Sequence, residues 1–548
     1  MGRQLSFPVV IVGAGPVGLC LAMDLAARGI EVGVFESRHA GEPPSVKCNH
    51  VASRTMETFR RLGFVDEVRK AGLPDDYPND VVFRTRATGY ELTRIPIPNR
   101  LERYTSSNGP DTGWPTPEPP HRINQIYLEP ILFKQAAEQA GISIYNRSEV
   151  TAFEQGDDSV VVTVRNLEND DEQSVRCQYL IGCDGGHSRI RRMIGASLQG
   201  DAVIQRVQST CFRAPTLLGR ITGERAWMSY LYNPERAGNL VAIDGREVWL
   251  LHNYLLPHET DFNSVDRDAC IRLLLGVGEE FEYEELTQED WIGRRLVADR
   301  FRAGRVFICG DAAHLWVPYA GYGMNAGIAD AMNLSWLLAG HLNGWAPASL
   351  IENYQTERQP ITEQVSRFAM RHAESVIAER TGVPAELEDD TPAGAEARRK
   401  VGDAAYALNV QQFACAGLNY GYYYDRSPLI AYDDEAAPGY TMHDYTPSTV
   451  PGCRVPHFQL PDGRSLYDAV GPWFTLLKFD RQTDTSALQQ AFAELNVPFE
   501  LLDIDIQAPP APYRHRLLLC RPDLHVAWRG DQLPADAGAL VRQVSGNN

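Results

Sequence analysis

Metal-binding and dithiol signatures are missing from this 548-residue sequence. Its ten cysteines include no CxxC pair and no Cys/His run at metal-ligand spacing, so neither a metal site nor a disulfide scaffold is expected. The thiols read as buried and reduced. No stretch of about 18 uninterrupted apolar residues occurs, and the start of the chain lacks a basic segment followed by a long apolar core. The expectation is a cytoplasmic protein with no membrane partner. Basic residues are outnumbered, 52 Lys and Arg against 71 Asp and Glu, for a net charge of −19. Nucleic-acid backbones, bound through clustered Lys and Arg, are therefore not expected as partners. Internal repeats are absent. A second glycine-rich nucleotide turn is absent too, since Gly276-Val277-Gly278 lacks both the flanking elements and the third glycine.

One such turn is present, close to the N-terminus. Val9 to Val12 form a β-branched run that reads as a buried parallel strand. Gly13-Ala14-Gly15-Pro16-Val17-Gly18 follows, then apolar residues at helical spacing (Leu19, Leu21, Ala22, Leu25, Ala26), then a second apolar strand, Val32 to Phe35, closed by Glu36. In such a βαβ unit Gly13 makes the tight turn, Gly15 lets backbone approach a pyrophosphate, and Gly18 lets helix and strand pack closely. The helix N-terminus faces the phosphates, and Glu36 sits where a carboxylate accepts from an adenosine ribose, an arrangement suited to FAD or NAD.

Residues 74–122 read as a long irregular excursion, with seven prolines between Pro96 and Pro120. Such a loop either borders a site or is a plain surface insertion. Tyr179 to Gly182 form another apolar strand, ending at Asp184-Gly185. From about residue 200 to 295 the texture becomes β-rich and aromatic, with Asp244-Gly245 as a hairpin signal. Arg305 to Cys309 form a further buried strand opening into Gly310-Asp311, then Pro318 to Asn325, then a helix.

Gly13 to Gly18 with Glu36, Asp184-Gly185 with Ser188 and Arg191, Gly310-Asp311, and Pro318 through Asn325 make one constellation. Together they resemble the single-component flavoprotein aromatic hydroxylases of the para-hydroxybenzoate-hydroxylase kind. The resemblance covers roughly residues 8–375. Pro451 to His457, Phe474 to Leu477, Arg521-Pro522-Asp523 and Val526 to Arg529 resemble the thioredoxin-like tail of the phenol-hydroxylase branch. The fold class implied is α/β. A Rossmann-like FAD-binding domain (1–75, 120–198, 296–380) is interleaved with a β-rich substrate domain (76–119, 199–295). A connection (381–445) and a thioredoxin-like domain (446–548) follow. Without a cysteine pair, that tail should do no thiol chemistry.

The resemblance also implies roles. Gly13, Gly15, Gly18 and Glu36 hold the adenosine diphosphate half of FAD. Arg54 and Gln125 match positions that hold the flavin phosphates and ribityl chain, and Lys47, also a cofactor-binding position, stands where many relatives carry an Arg. Asp184 belongs to a motif linked to both FAD and the nicotinamide nucleotide. Asp311 accepts from the ribityl chain. Pro318, Gly321, Gly323, Met324 and Asn325 belong to the ring-contacting stretch: Gly321 and Gly323 let backbone amides approach the isoalloxazine and Asn325 starts the helix aimed at that ring, with Tyr322 expected to narrow the space or stack nearby. The reaction implied is hydroxylation of a phenolic or related aromatic compound with NADPH or NADH and O2, through a flavin C4a-hydroperoxide. A flavin and aromatic binder without turnover is the alternative. A halogenase is a weaker one, for want of a Trp-x-Trp motif. A homodimer is left open.

Catalytic candidates come from residue chemistry. His50, beside the flavin segment, has a ring suited to base work, or is simply structural. Tyr230 and His252 lie in the β layer that should roof the substrate, together with Trp227, Tyr232, Trp249 and Tyr254. Strand alternation turns only about half of these toward a pocket. His314 reads as structural, and the cluster Tyr420, Tyr422, Tyr423 and Tyr424 as packing between the flavin domain and the tail.

Overall fold

Three sheets organise the chain in the computed structural model, which describes residues 5–47, 49–317, 319–506 and 508–548. The first is built on the glycine-turn unit. Strand Leu5–Val12 pairs in parallel with Val32–Phe35 on one side and with Glu172–Gly182 on the other. Ile142–Tyr145 extends the sheet beyond Val32–Phe35, and Val306–Ile308 beyond Glu172–Gly182, both in parallel. Every residue of Val32–Phe35 and Val306–Ile308 is buried, as strands covered on both faces require. The apolar strand read at Tyr179 to Gly182 is the end of a longer strand of 11 residues, Glu172–Gly182. Its first three residues are exposed, the next four alternate between buried and exposed, and the last four are buried, which is why the hydropathy pattern changes along it.

The second sheet holds eight strands, in the order His314–Leu315, Glu284–Ala298, Leu198–Arg213, Val248–Tyr254, Ala237–Ala242, Met228–Tyr232, Val81–Arg84 and Glu91–Ile95. The Asp244-Gly245 hairpin is there: Asp244 Oδ1 accepts from the amides of Arg246, Glu247 and Val248, and Gly245 takes φ 72°. The proline-rich excursion is not wholly irregular. Its two short strands close the edge of this sheet, held by pairing with Met228–Tyr232 that no local pattern announces.

Helix Tyr322–Leu342 packs against helix Pro16–Ala27, and Asn353–Thr381 runs from the first sheet toward the second. Helix Pro392–Phe413 lies so close to strand Glu91–Ile95 that a Cβ on Gly402 would stand 2.2 Å from the Leu92 carbonyl oxygen. The tail sheet runs Phe499–Asp503, Phe474–Lys478, Leu517–Cys520, Val526–Gly530. The first two strands are parallel, the rest antiparallel, with helices Ser486–Glu494 and Ala537–Ser545 beside them, the thioredoxin-like order. Among the described residues no helix is long and apolar enough to cross a membrane.

Candidate active site

One cavity of ≈ 890 Å³ runs from the glycine turn to the second sheet, large for a ligand pocket, which commonly spans about 300–1,000 Å³. At its nucleotide end Gly13 takes φ 103°, and a Cβ there would stand 2.4 Å from the Cys183 carbonyl oxygen. Gly18 serves packing: its Cβ would strike the Gly13 carbonyl at 2.1 Å, and it does not line the cavity. Gly15 differs from both, because a Cβ there would meet nothing within 4 Å and would project into open space. That opening at a helix N-terminus is the cradle a pyrophosphate needs. Glu36 lines the same end, accepting from the Ala14 amide at 2.7 Å and the Arg38 amide at 2.9 Å. Burial works against its charge, and the bonds from Arg38 and Ala14 outweigh burial, leaving the carboxyl below its usual range.

Mid-cavity stands Asp311. It can be reached from the cavity yet lies deep in the molecule, and removal from bulk water pushes its carboxyl up, opposed by His314 and Lys47. It makes no hydrogen bond or ion pair among the described residues. An unpartnered carboxylate open to the cavity fits a ligand rich in hydroxyl donors, as a ribityl chain is. Gln125, Gly321, Gly323 and Met324 line the wall nearby, with open space beside Gly323. Asp184 also lines the cavity, but its oxygens are engaged by the Ser188 hydroxyl (2.5 Å) and the amides of Arg189 (2.7 Å) and Ile190 (3.0 Å). It orders the turn into helix Arg189–Met193. Lys47 lies at the margin, ion-paired to Glu289 at 3.6 Å.

Some expected positions lie elsewhere. Arg54 turns away from the cavity, stacking on Tyr422 at 4.3 Å and contacting His525 Nε2 at 3.0 Å, drawn there by the tail. Asn325 fastens two loops: its Oδ1 accepts from the Ala52 amide at 2.8 Å, and its Nδ2 donates to the Gly321 carbonyl at 2.7 Å. Tyr322 neither narrows the cavity nor faces it. Its hydroxyl donates to the Leu418 carbonyl at 2.6 Å and its ring stacks on Trp316. Pro318 lies outside the described residues.

At the far end the second sheet supplies a chamber. Tyr230, His252, Trp227 and Tyr254 line it; Trp249 lies on the opposite face from His252, as alternation requires, whereas Tyr232 shares the face of Tyr230 but sits beyond the cavity, its hydroxyl 3.2 Å from a Glu379 carboxylate oxygen. Tyr230 stacks on Phe83 with centroids 4.9 Å apart. Burial, with Tyr254 and Tyr319 nearby, raises its pKa well above the ordinary value, so it stays a neutral hydroxyl. His50 lies between loops, its Nδ1 receiving a hydrogen bond from Arg122. A guanidinium only donates, so Nδ1 is the bare nitrogen. Burial, then the Arg122 charge, push its pKa well below the ordinary value. His314 is structural, bonded to Asp330 at 2.6 Å, with Arg358 on the other oxygen.

Sequence reasoning missed much of the chamber wall. Gln412 and Phe413 come from the end of helix Pro392–Phe413, read beforehand only as a connection. Phe413 meets Trp227 edge-on at 6.3 Å and Tyr230 at 6.4 Å. Arg122, whose guanidinium lies over Trp227 at 5.0 Å, was also overlooked.

Residues 6–369 match the family described as FAD binding domain, and residues 448–547 match that described as aromatic-ring hydroxylase, C-terminal. The chain belongs to the FAD-dependent aromatic-ring hydroxylases. It is an enzyme of the flavoprotein monooxygenase kind, and FAD is its cofactor. Among curated hydroxylases it is 30% identical to aklavinone 12-hydroxylase RdmE of Streptomyces purpurascens, over 98% of this chain and 97% of that one. It is 29% identical to phenol 2-monooxygenase of Pseudomonas sp. (strain EST1001), over 96% and 90%. The solved structure of chromopyrrolic acid-soaked RebC with bound 7-carboxy-K252c is 33% identical, covers 100% of both chains and superposes with a TM-score of 0.89.

Proposed function

We propose that this hydroxylase inserts one oxygen atom from O2 into a phenolic, multi-ring aromatic compound at the expense of NAD(P)H. The observation that carries the reading is the single cavity joining the Gly15 opening and the unpartnered Asp311 to the aromatic chamber around Tyr230. When bound, FAD supplies the electron transfer and oxygen activation that side chains lack. Gly15, Glu36 and Asp311 would hold it. The aromatic walls of the chamber suit flat fused rings, in keeping with relatives named for aklavinone and for bound 7-carboxy-K252c.

The chain's own groups bind, orient and exclude water. Trp227, Tyr230, Tyr254 and Phe413 wall the chamber, and aromatic walls place a flat ring by stacking and edge contacts. The Tyr230 hydroxyl, held neutral, offers one hydrogen bond to a ring oxygen. His50 is better suited to fixing geometry than to carrying a proton. Its nitrogen is engaged by Arg122, and its Cβ would lie 2.9 Å from a Cβ added at Gly321, so it props the Gly321 loop.

The experiment is anaerobic stopped-flow absorbance of the purified yellow protein with NADH or NADPH across a panel of phenols and hydroxylated polycyclic aromatics, followed by oxygen. Bleaching stimulated by one aromatic, then a product heavier by one oxygen atom, is the expected result. Flavin that no nucleotide reduces in the presence of any aromatic would sink the reading in favour of a binder.

A further inference from the structure

His252 projects from the central strand Val248–Tyr254 into the chamber, opposite Ser209 on the neighbouring strand. Directly opposed residues share a face of the sheet, so the two side chains meet, with Ser209 Oγ 2.6 Å from His252 Nδ1. Trp291, from the next strand, places its indole Nε1 2.7 Å from the same Oγ, and its ring stands edge-on to the imidazole at 5.9 Å. An indole N–H can only donate. It takes one lone pair of Ser209, and among the described residues Nδ1 is the one acceptor within hydrogen-bond distance of the serine proton, so the hydroxyl is satisfied as a donor only by giving that proton to Nδ1. A neutral imidazole that accepts at Nδ1 carries its proton at Nε2. Burial pushes the His252 pKa down to about 4, so the ring is neutral at physiological pH. Nε2 makes no hydrogen bond among the described residues, and the ring lines the cavity.

We propose that Trp291 and Ser209 lock His252 as an Nε2–H donor, and that this donor selects aromatic substrates bearing an acceptor oxygen, a ring carbonyl or a phenolate. Rather than taking a proton, His252 gives a hydrogen bond, which favours the ionised form of a phenol held against it. The substrate class rests on the hydroxylase reading; the locked tautomer does not.

The test has two arms on the full-length, FAD-loaded protein. In the first, imidazole 15N shifts of histidine-labelled protein, with the His252 signals identified by their loss in His252→Phe, are expected to report a protonated Nε2 and a bare Nδ1. Ser209→Ala should disturb that pattern and Ser209→Thr restore it. A protonated Nδ1 in the unsubstituted protein would overturn the proposal, and because this arm needs no ligand it decides even where no probe binds. In the second arm, 9-fluorenone and fluorene, which share a ring frame and differ in one carbonyl, are titrated against the oxidised flavin absorbance. His252→Phe should weaken fluorenone binding about tenfold, the worth of one hydrogen bond, and leave fluorene unchanged. Equal binding of the two probes by the unsubstituted protein, or an equal loss in the variant, would refute the selection. Selective fluorenone binding without turnover of any phenol would sink the hydroxylase reading and leave the donor standing.

Discussion

Arg521→Met should unfasten the tail. Arg521 is fully buried, donating to both oxygens of Glu357 at 2.7 and 2.8 Å and to Asp523 at 3.1 and 2.9 Å. Its guanidinium lies between Trp336 at 5.0 Å and Tyr424 at 4.9 Å, so methionine keeps much of the packing and removes the charge. Two carboxylates then stay buried with only neutral partners such as Asn333. Breaking a buried pair on one side costs about 3–5 kcal/mol. At about 2.1 cal/mol/K of unfolding entropy per residue, ~3 kcal/mol moves the melting midpoint by about 14 °C for a unit of roughly 100 residues and by about 3 °C for the whole chain. Scanning calorimetry with limited proteolysis between residues 425 and 450 therefore reads both the loss and the size of the unit that unfolds. The pH dependence gives a second check. Burial raises the Asp523 carboxyl, and Arg521 and His525 more than reverse it, leaving it well below the usual range. In the native protein this stability is present above the unfolded pKa, near 3.9, and is lost only as pH falls through the depressed folded value. In the variant burial acts with its main opponent gone, the folded pKa rises, and the penalty is relieved by acid. The gap between the two proteins should be widest at neutral pH and narrow toward about pH 4. A midpoint within 1 °C of the parent, or a gap that widens in acid, would refute the reasoning.

The two cavity glycines should fail differently. Gly15→Ala, whose methyl enters open space, should give a folded, colourless protein with reduced FAD affinity, read by flavin absorbance and circular dichroism, whereas Gly13→Ala, strained and in collision with Cys183, should lower soluble yield itself. Asp311→Asn removes an unpartnered charge whose carboxyl is held above its usual range, so the FAD-free protein should melt slightly higher at neutral pH, an advantage that fades as pH falls through the raised folded pKa, while FAD dissociation should quicken about tenfold. Phe413→Ala, which opens the chamber beside Trp227 and Tyr230, should shift kcat/KM toward bulkier aromatics in a substrate-size series while leaving FAD affinity within about twofold.

What could be read in the sequence was local. The Gly13 to Gly18 turn, the strands around it and the Asp244-Gly245 hairpin each carry their instruction within a few residues, so their positions were legible. The strands Leu198–Arg213 and Glu284–Ala298 were not, because they are exposed along much of their length and are held by pairing with each other. Arg54 was placed by motif beside the flavin, but its direction is set by Tyr422 and His525, hundreds of residues away. The same holds for His252, whose chemical character depends on Ser209 and Trp291 from two other strands. Residue type announced a titratable ring; only the fold says which nitrogen bears the proton.

Helix Pro392–Phe413 belongs to neither large sheet, yet its last turn lines the aromatic chamber while its body rests on the edge strand Glu91–Ile95. On the proposed reading, the machinery for holding the cofactor and part of the surface that judges the substrate are thus carried by separate stretches of chain. Insertions, deletions or sequence drift in residues 381–413 can remould the judging surface without touching the glycine cradle. A scaffold divided in this way can keep one oxidative engine while changing what it is fed.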